Sequence, residues 1–253
     1  MTLRDHFERS GTWLFRRRSY LPLLLLAILL PAVVKSGYPG GSHGKDLLWE
    51  GFCFAISLSG LAIRVLAVSH AAPGTSGRGT WEPNAESLNT AGVYSLVRHP
   101  LYVGNYLMWL GLSFFPHIWW CPVICSLVFW LYYERIAFAE EEFLRRRFGD
   151  AWEAWATRTP AFVPALRKWR WPEQRFSFRH VLSREYSALF GLVASFTFLE
   201  IVGDLAQNRR LEVDPVWGTA FVCTAVAYLV LRTLKRYTRL LRVVDRQAAS
   251  IEE

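Results

Sequence analysis

Apolar residues gather into long blocks along this chain, and segments rich in Arg separate them. A soluble fold would distribute apolar and polar positions far more evenly, at the period of a helix or a strand. Six blocks are candidates for crossing a bilayer core of about 30 Å, which takes roughly 20 helical residues. They run approximately Tyr20–Val34, Leu47–Ser69, Leu101–Phe115, Ile118–Tyr133, Tyr186–Val202 and Val216–Leu234. The first, third and fourth are short for a full crossing. Pro116 separates the third from the fourth with only His117 beside it and no Lys, Arg, Asp or Glu nearby, which predicts a tight helical hairpin. The expected fold class is all-α: a polytopic membrane protein with about six transmembrane helices.

Charge adds an orientation. The 253 residues are 52% hydrophobic and 15% aromatic, with a net charge of +8. A nucleic-acid binder would carry that charge on one face of a soluble fold, whereas a membrane protein concentrates it on one side of the bilayer. Lys and Arg number five in the N-terminal arm, two between 70 and 100 (Arg78 and Arg98), eleven between 135 and 185 and six after Leu231. The opposite side holds only Lys35, Lys45, Arg209 and Arg210. This asymmetry predicts both termini in the cytoplasm (beneath the inner membrane if the source is bacterial) and argues against nucleic acid as a partner. The N-terminal arm is basic and amphipathic, and no small-residue cleavage site follows the first block, so it reads as a retained helix and not a signal peptide. Trp119, Trp120, Trp152, Trp155, Trp169 and Trp171 suit an interfacial aromatic belt. Cys53, Cys121, Cys125 and Cys223 all lie in apolar blocks without metal-ligand spacing, and read as small buried hydrophobes.

Two polar segments adjoin the central hairpin: Leu88–Gly104, which enters the third block, and Glu134–Trp152, which leaves the fourth. A short turn between those blocks makes them antiparallel neighbours, so the Arg98-His99 pair and the Glu140-Glu141-Glu142 cluster are expected to meet in space. Arg98, His99 and the N–H groups opening the third helix form a cationic, donor-rich site for an anionic group. Pro100 suits the first helical position, where its missing N–H costs nothing. Gly104 removes a side chain one turn on, where a ligand could approach the backbone. Tyr94 and Tyr102 offer aromatic faces; Glu140 and Glu141 offer acceptors for a sugar diol, or attraction for a cation. The plainer reading keeps Arg98 and His99 as interfacial residues and pairs Glu141 and Glu142 with Arg145 and Arg146 along one solvated helix face. Arg64, near the cytoplasmic end of the second block, either snorkels or faces inward for function. A metal site from His99 and the glutamates lacks a second ligand His.

At these positions the sequence resembles a known family. Thr90-x-Gly92-x-Tyr94-x-x-Val97-Arg98-His99-Pro100-x-Tyr102-x-Gly104, then Glu140-Glu141-x-x-Leu144-x-x-x-Phe148-Gly149-x-x-Trp152, then Trp155-x-x-Arg158-Thr159-Pro160-Ala161-Phe162-x-Pro164, looks like the isoprenylcysteine carboxyl methyltransferase and phospholipid methyltransferase family. The resemblance covers Leu88 to Pro164. It implies an integral-membrane methyltransferase that uses S-adenosylmethionine without the soluble glycine-loop fold and acts on a membrane lipid or lipidated substrate, by O- or N-methylation at the cytoplasmic interface. Carried over by position, Tyr94, His99, Pro100, Leu101, Tyr102 and Glu140 fall on cofactor-contacting sites, with Arg98 and Gly104 beside them, and Glu86 to Asn89 on a loop that also touches the cofactor. Arg135, with its spacing shifted by one, is the nearest match to a substrate-serving Arg. Glu141 is placed to take the proton that a lipid amine must lose before attack; a carboxylate acceptor needs no base.

The chain therefore divides into residues 1–87, with the arm and first two blocks; 88–164, the methyltransferase core; and 165–253, a basic linker and two further blocks serving packing and orientation, a substrate channel or a dimer interface. Two alternatives stay open. Sterol-type reductases using NADPH share an Arg-His-Pro-x-Tyr signature, but the Glu pair argues against them; the other is a non-catalytic protein on the same scaffold.

Overall fold

The computed structural model describes residues 2–36, 43–71, 85–172, 174–209, 211, 213–238 and 240–241. Among them are eight α-helices: α1 (Leu3–Arg16), α2 (Leu25–Lys35), α3 (His43–Ser69), α4 (Pro100–Phe114), α5 (Trp120–Phe148), α6 (Asp150–Ala156), α7 (Phe178–Asn208) and α8 (Pro215–Tyr237). No strand is present among the described residues, so the all-α expectation holds. Of the basic positions counted above, Arg78, Arg210, Arg239, Arg242 and Arg246 lie outside the described residues.

Local chemistry sets the helix limits. Thr2 and Asp5 form a reciprocal capping box at the start of α1. Pro100 takes the first position of α4 behind His99, and the Asp214 side chain accepts from the Val216 N–H to cap α8. Gly149 ends α5 at a positive φ of 51°, a conformation most side chains resist, and α6 starts at once.

Four helices are long and apolar enough to cross a membrane by length and composition, in segments Gly44–Ser69, Trp120–Phe148, Phe178–Gln207 and Pro215–Tyr237. The tally reaches five if α1 with Leu21–Lys35, bent by 84°, counts as one span. Among the described residues this count by length and composition falls below the expected six, chiefly because α4 has only 15 residues. At 1.5 Å per residue it covers about 22 Å, short of the hydrocarbon core. The fourth block runs on as one helix to Phe148, because Tyr133–Glu142 keeps its helical period while turning polar. α5 thereby carries the glutamates without a break from the hairpin.

Helices α3 and α4 touch backbone to backbone. A Cβ on Gly60 would fall 2.4 Å from the Gly104 carbonyl oxygen, and one on Gly111 would fall 2.3 Å from that of Cys53. Across this seam Leu29, Val33, Cys53, Leu112, Phe115, Leu199 and the stacked Phe196–Trp217 pair (centroids 5.3 Å apart) form the larger core. A second cluster of Phe15, Tyr102, Phe129, Tyr133 and Ile136 joins α1, α4 and α5. The α8 surface keeps Val222, Val226, Leu229 and Val230 exposed, as an outer face in contact with lipid would require.

Candidate active site

Where α3 ends and α4 and α7 begin, the helices surround a cavity of about 680 Å³, within the range of small-molecule sites. Tyr94, Arg98, His99, Pro100, Leu101, Tyr102, Glu140 and Glu141 all line it. The loop expected to join them is there as well, through Ser87, Leu88 and Asn89.

The two motif halves are laced together by backbone bonds. The N–H groups of Arg98 and His99 donate to the carbonyls of Pro160 and Ala161, at 2.9 and 3.2 Å, and Ala165 donates to Leu96 at 3.0 Å. Trp155 Nε1 donates to the Tyr94 carbonyl at 3.2 Å. His99 is buried between the rings of Tyr102 and Phe162 (centroids 5.4 and 5.5 Å away). Its Nε2 lies 2.8 Å from Glu141 Oε1, and its Nδ1 lies 3.7 Å from Glu140 Oε2. Arg98 Nε sits 2.9 Å from the same Glu141 oxygen, Arg98 Nη2 bonds the other at 3.3 Å, and Nη1 donates to the Ala156 carbonyl at 2.9 Å. Desolvation, with the Glu140 charge adding to it, pushes the Tyr94 hydroxyl well above the ordinary tyrosine value. Tyr94 therefore stays a neutral hydrogen-bond donor at physiological pH.

Three expected roles meet a different geometry. Arg135 is absent from the cavity lining; its guanidinium lies 4.5 Å from the centroid of Phe7 and donates to Ser10 Oγ at 3.2 Å, so it fastens α1 to α5. Gly104 faces α3, where a Cβ would lie 2.6 Å from Arg64 Cγ, so its missing side chain serves helix approach, and it is not part of the cavity wall. Glu141 spends its acceptor capacity on Arg98 and His99, which makes it a brace for that pair and a poor choice for proton removal. Of the plainer pairing, Glu142 has Arg146 at 4.0 Å and Arg145 at 3.4 Å, but it is buried and not on a solvated face, and it also meets the Arg4 guanidinium.

Other lining residues escape the motif. Arg18, from the N-terminal arm, lies 3.5 Å from Glu140. Arg64 faces inward, donating to both Glu185 oxygens at 2.8 Å and to Asn105 Oδ1. Tyr133 accepts from Asn105 at 3.0 Å. Arg184, Glu185, Ser187 and Ala188 bring α7 into the wall, so the cavity draws on residues on both sides of 88–164. Arg64 already stood out as a charge inside an apolar block. Nothing in one sequence pairs it with Glu185, 121 residues away.

A model of the phospholipid methyltransferase family matches residues 53–151. Over 159 residues the chain is 29% identical to the nickel-cobalt-cadmium resistance protein NccN of Alcaligenes xylosoxydans xylosoxydans, covering 63% of this chain and 70% of that one. It is 42% identical over 84 residues to the cobalt-zinc-cadmium resistance protein CzcN of Cupriavidus metallidurans, covering 33% of this chain and 38% of that one. It is 33% identical over 79 residues to the protein-S-isoprenylcysteine O-methyltransferase of Schizosaccharomyces pombe, covering 31% of this chain and 34% of that one. No solved structure matches.

Proposed function

Starting from the core that residues 53–151 share with the phospholipid methyltransferase family, we propose that the chain is an integral-membrane, S-adenosylmethionine-dependent methyltransferase acting on a lipid or lipidated substrate at the cytoplasmic interface. The family and the Schizosaccharomyces pombe relative support a membrane methyltransferase. The donor, the orientation and the acceptor class are the finer parts of the proposal.

One observation carries it: His99, placed between Glu140 and Glu141, lies on the wall of a 680 Å³ cavity together with Tyr94 and Tyr102. This donor set fits S-adenosylmethionine, which has an aromatic base, a ribose diol, a carboxylate and two cationic centres. Tyr94 and Tyr102 would take the aromatic part, Glu140 the diol or a cation, and His99 the carboxylate. When bound, the donor supplies a methyl group activated by its sulfonium. The protein's share is then alignment of the acceptor with that methyl in a dry space. The backbone lacing of 96–99 to 160–165 fixes His99, and the Glu141 brace fixes its ring. Phe15, Pro22, Leu23, Met108, Trp109 and Ala188 give the cavity an apolar side suited to a lipid chain, and Leu23 is exposed at its rim.

The test is binding of radiolabelled S-adenosylmethionine to the full chain in detergent, with NADPH as the rival ligand. The wild type should bind the first and not the second. The double variant His99→Ala, Glu140→Ala should lose at least 50-fold in affinity, since each lost charge-assisted contact is worth about 1.5–3 kcal/mol. Unchanged affinity in a folded double variant would refute the site. Mass spectrometry of lipid extracts, seeking the replacement of H by CH₃, would identify the acceptor.

A further inference from the structure

A second polar hollow lies at the other end of the bundle, where α3 and α4 exchange ends and α7 finishes. Its volume is about 20 Å³, and Asp46, Glu50, His117, Glu200 and Asp204 line it among others. That is room for a single water-sized species. One carboxylate oxygen from each of Asp46, Glu50 and Glu200 lies within 4.8 Å of the other two, and all three residues are buried. Glu50 is only 3% exposed. Its Oε2 accepts from Trp217 Nε1 at 2.8 Å, while its Oε1, equally buried, has no hydrogen-bond partner.

We propose that Asp46, Glu50 and Glu200 form a binding site for one divalent cation, separate from the methyl-transfer cavity. Two glutamate charges this close inside a helical bundle call for a positive charge between them, from a proton or a metal. Glu50 Oε1 receives no N–H or O–H from any other described residue and borders the water-sized hollow, so the positive charge has to come from a proton shared with Glu200 or from an ion seated between the carboxylates. Metal–oxygen bonds of about 2.0–2.2 Å hold three ligand oxygens roughly 3–4 Å apart pairwise, so oxygens that all lie within 4.8 Å of one another close onto an ion by side-chain adjustment alone. His117 Nε2 lies 3.8 Å from Asp46 Oδ1 and its ring stacks on Trp49, 5.0 Å away. It is placed to orient Asp46, as a ligand's partner commonly does. Trp217 does the same for Glu50. Three carboxylates with an imidazole nearby suit Mn²⁺, Mg²⁺ or Zn²⁺ and disfavour soft, thiophilic ions.

The inference is independent of the methyl-transfer reading, and its experiment keeps the two apart. The full chain in detergent is stripped with a chelator, incubated separately with Mn²⁺, Zn²⁺ and Mg²⁺, desalted and analysed for metal. One equivalent of at least one ion should stay bound and raise Tm by several degrees at roughly 100 times its Kd. The isosteric variants Glu50→Gln and Glu200→Gln should each weaken retention at least 10-fold, whereas His99→Ala should retain the metal fully. Wild-type protein that keeps none of the three ions overturns the site, and so does equal retention by both Gln variants. A Tm that ignores metal but follows pH would assign the charge to a shared proton and overturn it too. If either Gln variant fails to fold, wild-type stoichiometry still decides.

Discussion

The two polar hollows share α7 as a common wall, yet they solve opposite problems. At one end Glu140, Glu141 and Glu185 each face an arginine or histidine: Arg18, Arg98 with His99, and Arg64. At the other, Asp46, Glu50 and Glu200 converge on one another, with the His117 ring 3.8 Å from Asp46. Glu185 and Glu200 are 15 positions apart, about 22 Å along the helix. The first hollow is large and its charges are matched within the protein, so a ligand can enter without completing the electrostatics. The second is tiny and acid-rich, and the proposed cation would complete it. Burial of a carboxylate therefore says little by itself; the sign of its nearest neighbours decides whether removing it harms or helps the fold.

That difference can be broken by neutralising one acid in each hollow. Glu141→Gln should produce the largest change. It strips Arg98 and His99 of their common partner, and the cost should be roughly 2–3 kcal/mol, below that of a fully buried pair because about a fifth of each side chain meets solvent. Chemical denaturation in mild detergent would read it, and a loss under 0.5 kcal/mol (about a twofold change) would remove the brace from the description. In metal-free protein Glu200→Gln should have the opposite sign, raising stability by about 1 kcal/mol as acid–acid repulsion is relieved. A clear loss there would mean that the three carboxylates are already compensated from within. The smallest effect on ligand binding belongs to Arg135→Ala. Its guanidinium is committed to Phe7 and Ser10, so S-adenosylmethionine affinity should stay within about twofold while stability falls by about 0.5–1.5 kcal/mol. A 10-fold loss of donor affinity would return Arg135 to the cavity.

The cavity end was legible in the chain because its determinants are local. Arg98-His99-Pro100 opens a helix, the glutamates occupy another, and a hairpin at Pro116 joins them. The acid-rich end was not legible. Glu200 lies 150 positions from Glu50 and 154 from Asp46, and each looks singly like a polar residue near a membrane surface. A gap of 121 positions concealed Arg64–Glu185 in the same way. The short length of α4 was legible too, since its block already fell below the roughly 20 residues that a bilayer crossing takes. Arg135 and Gly104 were misplaced because spacing along a helix does not reveal which neighbouring helix claims a given face. For Gly104 that neighbour is α3.

The glycine seam between α3 and α4 has a mechanical implication. With Gly60 against Gly104 and Gly111 against Cys53, the two helices have no side-chain cushion left to compress. That partition is a fixed post. On the proposed function, any breathing needed to admit a bulky acceptor or release a spent donor must come from the opposite jamb, where Arg18 reaches Glu140 across a partly exposed 3.5 Å gap and Leu23 stands at the rim.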